Sequence, residues 1–500
     1  MKKRMLGTAL AGIAVVLCFS TLSADAQGLA GNMFQNWNLL PGGARARGMG
    51  GAFLGISNDG TAAAWNPAGL IYNEGVSLTA NYNFARVGLD LNDRDLNSSL
   101  SNVSSAAFQA PLTLVEHEFV LSVYYDRIQD LYAKGEFDLD NTGGIRGLGT
   151  PFKASYSMSG NLAMVGFGVG TLIKGPLTAG ITLNLATGDG NESHQMYLDS
   201  TRYVAPQPYY EKVSWWDQSN LDYSGINVKL GALYKKDRWS AGFIFSPRWT
   251  LTQTVHYRAQ VIQTHFQIPE PSRIMLPGPQ GTEREIIIPY TVGLGGSYRL
   301  TDNILLAADY QFRPFKREGE FRFEMDPHQP DSAFERLPTD WYNLQQVRLG
   351  VEYTRETKYG LVPLRMGLRN EPMLIGSTTN TVAIFDERSN QGQSLQSTYF
   401  LPLTLPGATG DQVMGWTVAF GSGIYWSQIH LDIAFEFTGY SYNEKNASLR
   451  MVRQCSSCPE TLPNVETDEW GRRVTDDFGS YSHKYKDNRT RFSLNFTGYF

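Results

Sequence analysis

The sequence predicts an all-β fold: a transmembrane antiparallel β-barrel of fourteen strands. Three observations lead there. Long segments alternate apolar and polar residues with a period of two, connections alternate between very short and long, and the composition suits neither a soluble nor a helical membrane protein. Of 500 residues, 18% are charged, whereas soluble domains carry roughly 25%. The 50 Gly, 26 Tyr and 26 Phe are numerous, which argues against disorder. After the first 30 positions no apolar run reaches the length of about 18 residues that a membrane helix needs. A net charge of -5 gives no basic footprint, so nucleic acid is excluded as a partner.

The chain opens on an export signal. Lys2, Lys3 and Arg4 precede the apolar stretch Met5 to Phe19, and Ala24-Asp25-Ala26 has the small-x-small pattern of a signal-peptidase site. Cleavage is expected after Ala26, making 1–26 a signal peptide. Leu17 is too bulky for a lipobox, so Cys18 leaves with the signal. Cys455 and Cys458 remain, and two thiols in an exported chain are most simply one disulfide.

The first strand sets the pattern. Val76, Leu78, Ala80, Tyr82 and Phe84 fall on one face, with Ser77, Thr79, Asn81 and Asn83 on the other. The split returns in Ile181, Leu183 and Leu185 against Thr182 and Asn184, and in Leu431, Ile433, Phe435 and Phe437 against Asp432, Glu436 and Thr438. It closes the chain with Phe492, Leu494, Phe496 and Phe500 against Ser493, Asn495, Thr497 and Tyr499. A soluble sandwich shows the same period, but its strands average about 5–6 residues. Membrane strands need about 9–11, and in lipid only a closed barrel pairs every backbone group.

Strands are expected at 75–90, 101–115, 117–132, 152–172, 175–190, 219–236 and 238–259. The second half holds 284–300, 302–324, 341–358, 361–374, 411–426, 428–445 and 487–500. Pro111 interrupts the second of these. Connections are very short at Glu116, Ile173-Lys174, Asp237, Thr301, Tyr359-Gly360 and Ser427. Long loops are expected at 91–100, 133–151, 191–218, 260–283, 325–340, 375–410 and 446–486. The even count puts both barrel ends on the side of the short turns, the periplasm. Asp309, Arg313, Arg348, Glu352, Arg365, Arg369, Asp432 and Glu436 fall on the inward face, where they form a polar pathway or a network that stiffens the wall.

Before the barrel, Gln27 to Glu74 is rich in glycine, as a segment folded within a lumen must be. It contains Ala46-Arg47-Gly48-Met49-Gly50-Gly51-Ala52-Phe53 and Asn58 to Leu70, with Asn66-Pro67-Ala68-Gly69-Leu70 at its end. These runs resemble the FadL-like family of long-chain fatty-acid outer-membrane transporters, which includes toluene and xylene channels. Ile288 to Gly295, Val347 to Tyr353 and Leu431 to Phe435 resemble the family more weakly. The likeness spans most of the chain after the signal and is sharp only between Ala44 and Leu70.

The resemblance implies that 27–74 is an N-terminal hatch plugging a fourteen-stranded barrel at 75–500, with Asn66, Pro67 and Ala68 as its characteristic tripeptide. Asn66, Pro67, Ala68, Gly48, Gly50 and Gly51 are therefore the candidate gating residues. The family's third strand carries a kink that opens a side gap. Here 117–132 has neither Gly nor Pro, which moves the expected disruption to Pro111 or Gly135. Outer loops three and four are the family's place of first ligand contact. In this chain they hold Tyr209, Tyr210, Trp215, Trp216, Phe266 and Ile268, an apolar groove or an interfacial aromatic belt. The outer loop 446–486 carries Cys455 and Cys458 beside Glu466, Asp468, Glu469, Asp476 and Asp477.

No chemistry is expected of the remaining constellations. Gly166, Gly168 and Gly170 alternate on a strand, so small lumen-facing residues are favoured over a nucleotide loop. The histidines have no metal spacing, and Ser427 with His430 lacks a third catalytic member. An enzyme, a cofactor and a metal are not expected. The resemblance implies an outer-membrane protein for passive uptake of hydrophobic or amphipathic molecules such as fatty acids or aromatic hydrocarbons. The other class left open is a FadL-like accessory or attachment barrel of type IX protein secretion. An open porin fits less well, having no use for a hatch. The expected surroundings are outer-membrane lipid and lipopolysaccharide, the terminal Phe500 addresses the barrel assembly machinery, and a monomer is expected.

Overall fold

The period-two segments become strands whose two faces meet different media. In the first, Ser77, Thr79, Asn81 and Asn83 are buried while Leu78 and Phe84 are exposed. Thr182 and Asn184 are likewise buried between the exposed Ile181, Leu183 and Leu185. A polar interior with an apolar outside is the reverse of a soluble core and fits a wall standing in lipid. The computed structural model describes residues 37–73, 75–91, 94–115, 117–139, 152–204, 207–265, 272–324, 334–337, 341–387, 398–403, 409–455, 474–477 and 481–500.

Fourteen staves form one antiparallel wall. The first six are β1 (Ser77–Leu91), β2 (Arg94–Leu114), β3 (His117–Asp130) with β4 (Ala133–Leu139), β5 (Phe152–Lys174), β6 (Leu177–Val204) and β7 (Gln207–Lys236). Next come β8 (Trp239–Ser246) with β9 (Trp249–His265), β10 (Ser272–Ile288) with β11 (Thr291–Arg299), and β12 (Ile304–Arg313) with β13 (Glu320–Glu324). The last five are β14 (Phe334–Leu337) with β15 (Leu344–Thr357), β16 (Gly360–Glu387), β17 (Thr398–Leu403) with β18 (Thr409–Tyr425), β19 (Ile429–Cys455), and β20 (Val474–Asp477) with β21 (Tyr481–Tyr499). β1 pairs with β21 from Ser77↔Tyr499 to Leu91↔Tyr485, which closes the barrel and leaves no free edge.

The tight turns fall at or within two residues of the expected places, Ile173-Lys174 being the end of β5 with the turn at Gly175-Pro176, whereas the outer ends differ more. Val115 and Asp237 adopt positive φ (47° and 52°) in two of the short turns. By contrast, 191–218 is no loop: β6 and β7 stay paired out to Val204↔Gln207. β16 likewise runs on to Glu387 and β19 to Cys455. Beyond the bilayer a strand needs no apolar alternation, only a neighbour for its backbone groups, so the pattern that marks membrane strands stops before the ladders do. Pro111 does not interrupt β2 either, since it sits within the ladder opposite Val120. The signal peptide, Phe266, Ile268 and Cys458 lie outside the described residues.

Candidate functional site

Residues 37–73 occupy the lumen at its short-turn end. Two short α-helices, Ala44–Gly48 and Ala62–Trp65, and a 3-10 helix, Pro67–Tyr72, are joined by tight turns. Nearly every residue from Leu40 to Leu70 is buried. Small residues on both surfaces permit the fit. Gly50 turns with φ 67°, and a methyl group there would stand 2.7 Å from the Leu368 backbone nitrogen. A methyl on Gly48 would meet the Gly421 Cα at 3.0 Å. Gly51 continues the turn with φ 83° beside Arg348. All three glycines singled out in the sequence thus sit where the segment meets β15, β16 and β18.

Asn66 is fully buried and ties the other half of the segment together. Its side-chain amide donates to Leu54 O at 2.9 Å and to Ala232 O of β7 at 3.2 Å, while its Oδ1 accepts from Ala68 N at 3.2 Å. That last bond caps the 3-10 helix, with Pro67 in the first helical position where its fixed φ and missing N–H cost nothing. The wall is hollowed to receive this turn. A side chain at Gly170, Gly180 or Gly231 would run into Pro67, Leu70 or Asn66. Gly168 faces Ala63 and Leu70, so two of the three alternating glycines of β5, Gly168 and Gly170, are part of the seat for the Asn-Pro-Ala turn, while Gly166 faces Tyr124.

The Ala44–Gly48 helix is held by charge. Arg45 donates two bonds to Glu352, each 3.1 Å, and Arg47 bonds Glu436 at 3.0 Å. Behind them Arg365 bonds Glu352 at 2.6 Å and Asp432 at 2.7 Å, and Arg369 bonds Glu436 at 2.6 Å. Asp309 accepts from the Phe53 and Leu54 N–H groups at 2.7 and 2.9 Å. All eight inward charges read from the sequence are buried, and most of them hold the segment directly or brace a residue that does. Water is largely displaced here, so each partner removed leaves an uncompensated ion.

Farther from the short turns the lumen changes character. Trp37, Phe315 and Trp341 are buried with ring centroids 6.3 and 5.7 Å apart, and Leu131, Leu162, Leu251 and Ile286 pack with them. Arg313 donates to Trp37 O at 2.8 Å and fixes this end of the segment. Sequence reasoning missed this apolar region. Besides Trp37 of the segment, its two largest partners Phe315 and Trp341 come from breaks in the strand pattern, at Pro314-Phe315 and just before β15, where alternation carries no information.

Of the residues expected to capture ligand, Tyr209, Tyr210, Trp215 and Trp216 lie on the outer part of β7, with Trp215 opposite Val261 and Trp216 opposite Gln260 of β9. They belong to a paired hairpin rather than a loop. Cys455 ends β19. His430 stacks on Tyr425 at 4.1 Å and meets Tyr499 edge-on at 4.8 Å, an aromatic packing role beside the Ser427 turn.

A break in the wall was expected at Pro111 or Gly135; Pro111 is paired, and the break starts well before Gly135 and runs past it. The β2–β3 ladder ends at Ser105↔Asp126, although both staves continue. β2 goes on with β1, while the rest of β3 and all of β4 go on with β5. Within the third stave the register shifts between Arg127 and Gln129. The glycine that permits the bend is on the neighbour: Gly160 of β5, with φ 135°, accepts from Leu131 N at 3.1 Å.

No protein-family model and no curated protein matches the sequence. Solved structures do. The chain is similar to a Pseudomonas aeruginosa FadL homologue, with a TM-score of 0.57 at 12% identity over 92% of this chain and 98% of that one. It is similar to the Pseudomonas putida toluene transporter TodX, with a TM-score of 0.52 at 14% identity over 93% and 100% of the two chains. It also matches the CymD monoaromatic hydrocarbon channel, at 0.50, 12%, 93% and 98% respectively. At such low identity the likeness speaks for the fold: a FadL-like barrel of fourteen strands.

Proposed function

We propose, from the FadL-like barrel as premise, that this protein is an outer-membrane channel for passive entry of hydrophobic compounds. The observation that carries this reading is the buried apolar cluster around Trp37, Phe315 and Trp341, enclosed by the barrel and floored by the N-terminal segment. An open porin lines its lumen with polar groups and water. This lumen offers an apolar solute burial at about 25 cal/mol per Å2 of apolar surface, while the segment blocks a water-filled path. The aromatic residues on the outer part of β7 supply a first contact, the cluster receives the solute, and displacement of the segment or of the wall beside it lets the solute leave. The break between β2 and the third stave borders this cluster, because Leu131 belongs to it. Exit through the wall into lipid is therefore the shorter route. Such a path matters because a polar lipopolysaccharide layer stops solutes that cross lipid readily.

Segment opening follows from ligand only if the open arrangement binds ligand better. Purified protein titrated with toluene and with a pyrene-labelled long-chain fatty acid should show saturable quenching of tryptophan fluorescence, and Trp37→Ala with Trp341→Ala should weaken it. Cells making the protein should take up the same probes faster than cells without it. Absence of both effects would overturn the reading.

A further inference from the structure

We propose that Tyr132 and Asn102 latch a lateral seam between β2 and the third stave, and that Asp126 couples this latch to the N-terminal segment through Gly42. The proposal rests on the reading of lateral exit above and assigns the groups that regulate it. From Ser105↔Asp126 outward, no ladder joins β2 to β3 or β4 among the described residues. Backbone edges facing each other across a wall must be paired or covered, above all near lipid.

Among the described residues, side chains cross this seam. Tyr132 donates from its hydroxyl to Ser99 O at 3.1 Å. Asn102 donates from its amide to the Asp130 carboxylate at 3.2 Å, and Arg127 holds that carboxylate from its own stave at 3.0 Å. Two such bonds break and reform without unzipping any strand ladder. The seam is also apolar on its inner side. Leu131, next to Tyr132, is 2% exposed within the aromatic cluster, and Ile128 packs against the same cluster. A solute in the cluster thus lies one residue from the latch.

The vertex of the seam is tied to the segment. Gly42 N donates to the Asp126 carboxylate at 2.9 Å. A methyl group on Gly42 would stand 2.8 Å from Ser105 Cβ and 3.0 Å from Asp126 Oδ1, so the segment is wedged against both members of the last ladder pair. Movement of the segment at Gly42 pulls on that pair. The irregular stretch between β15 and β16 differs, because it is closed through backbone groups. There Asn370 inserts its amide between Val347 N and Gln345 O at 2.6 and 2.9 Å, and Tyr342 N bonds Leu374 O at 2.8 Å.

The test locks and loosens the seam. In a Cys455→Ser, Cys458→Ser background, Asn102→Cys with Asp130→Cys permits a disulfide across it. Oxidation should lower cellular uptake of the pyrene-labelled fatty acid about tenfold and reductant should restore it. Binding of that probe to the purified protein should stay unchanged. Tyr132→Phe keeps the ring and removes the crossing bond, so uptake should rise about fivefold. Its binding and heat stability should match the parent. Uptake unchanged in Tyr132→Phe, or in the cross-linked pair, overturns the latch and leaves the proposed function standing. Failure of the parent protein to bind the probe overturns the proposed function itself.

Discussion

Arg47 of the N-terminal segment and Glu436 of β19 face each other at 3.0 Å, both shielded from water, and Glu436 is shared with Arg369 at 2.6 Å and Arg491 at 3.9 Å. One carboxylate therefore holds together three guanidinium groups, one from the segment and one each from β16 and β21. Glu436→Gln should destabilise the folded protein by about 3–5 kcal/mol, the usual cost of breaking a buried ion pair from one side. Arg47→Met should cost less, because Glu436 keeps Arg369. Urea unfolding in lipid vesicles followed by tryptophan fluorescence checks the order. Equal losses would show that the segment, not the carboxylate, is the anchor.

The approach of Gly50 to Gly367 depends on two missing side chains. Gly367→Val should push the segment off the wall and produce an ion leak in planar bilayers. Gly439→Val is the control, since a Cβ there meets only Asn488 at 3.6 Å. Silence of the first variant would mean that the segment has room to shift without opening.

Asn66 is the residue whose loss should separate gating from folding. Asn66→Ala removes the donor to Leu54 O and Ala232 O, and Asn66→Asp replaces it with an acceptor facing two carbonyls, a larger penalty of about 1–3 kcal/mol. Both variants, and Pro67→Ala, should reduce uptake of a hydrophobic probe while the amount of folded barrel in the membrane stays constant. Normal transport would reduce the Asn-Pro-Ala turn to an anchor.

Trp215 and Trp216 probe first contact. Replacing both with Ala should weaken binding of a fluorescent fatty acid about tenfold, well within the apolar area the two rings offer. Heat stability should persist. Unchanged affinity would assign them to an interfacial belt.

Legibility followed the physics of each part. The membrane wall was readable because lipid imposes strict alternation: Ser77, Thr79 and Asn81 inward, Leu78 and Phe84 outward. The charged lumen was readable for the same reason, as Arg365 and Glu436 cannot face lipid. The Asn66-Pro67-Ala68 turn stood out by resemblance, and its seat was half visible in Gly168 and Gly170, whereas Gly166 makes room for Tyr124 instead. Hairpin lengths beyond the bilayer were not readable, because paired polar strands such as the outer part of β6 carry no face preference. The start of the seam was not readable, for a subtler reason. The bend in the third stave is enabled by Gly160 of its neighbour and by a bulge, so composition of the bent strand itself says nothing.

On the proposed function, residues of the N-terminal segment keep a fourteen-stranded barrel from being a pore. Single-channel recording in planar bilayers of the full chain and of a form lacking Gln27 to Leu70 tests it most directly. The full chain should be nearly silent, and the deletion should conduct ions steadily once its folding is verified by heat-modifiable migration. A folded deletion form that stays closed to ions would show that the segment is not the plug.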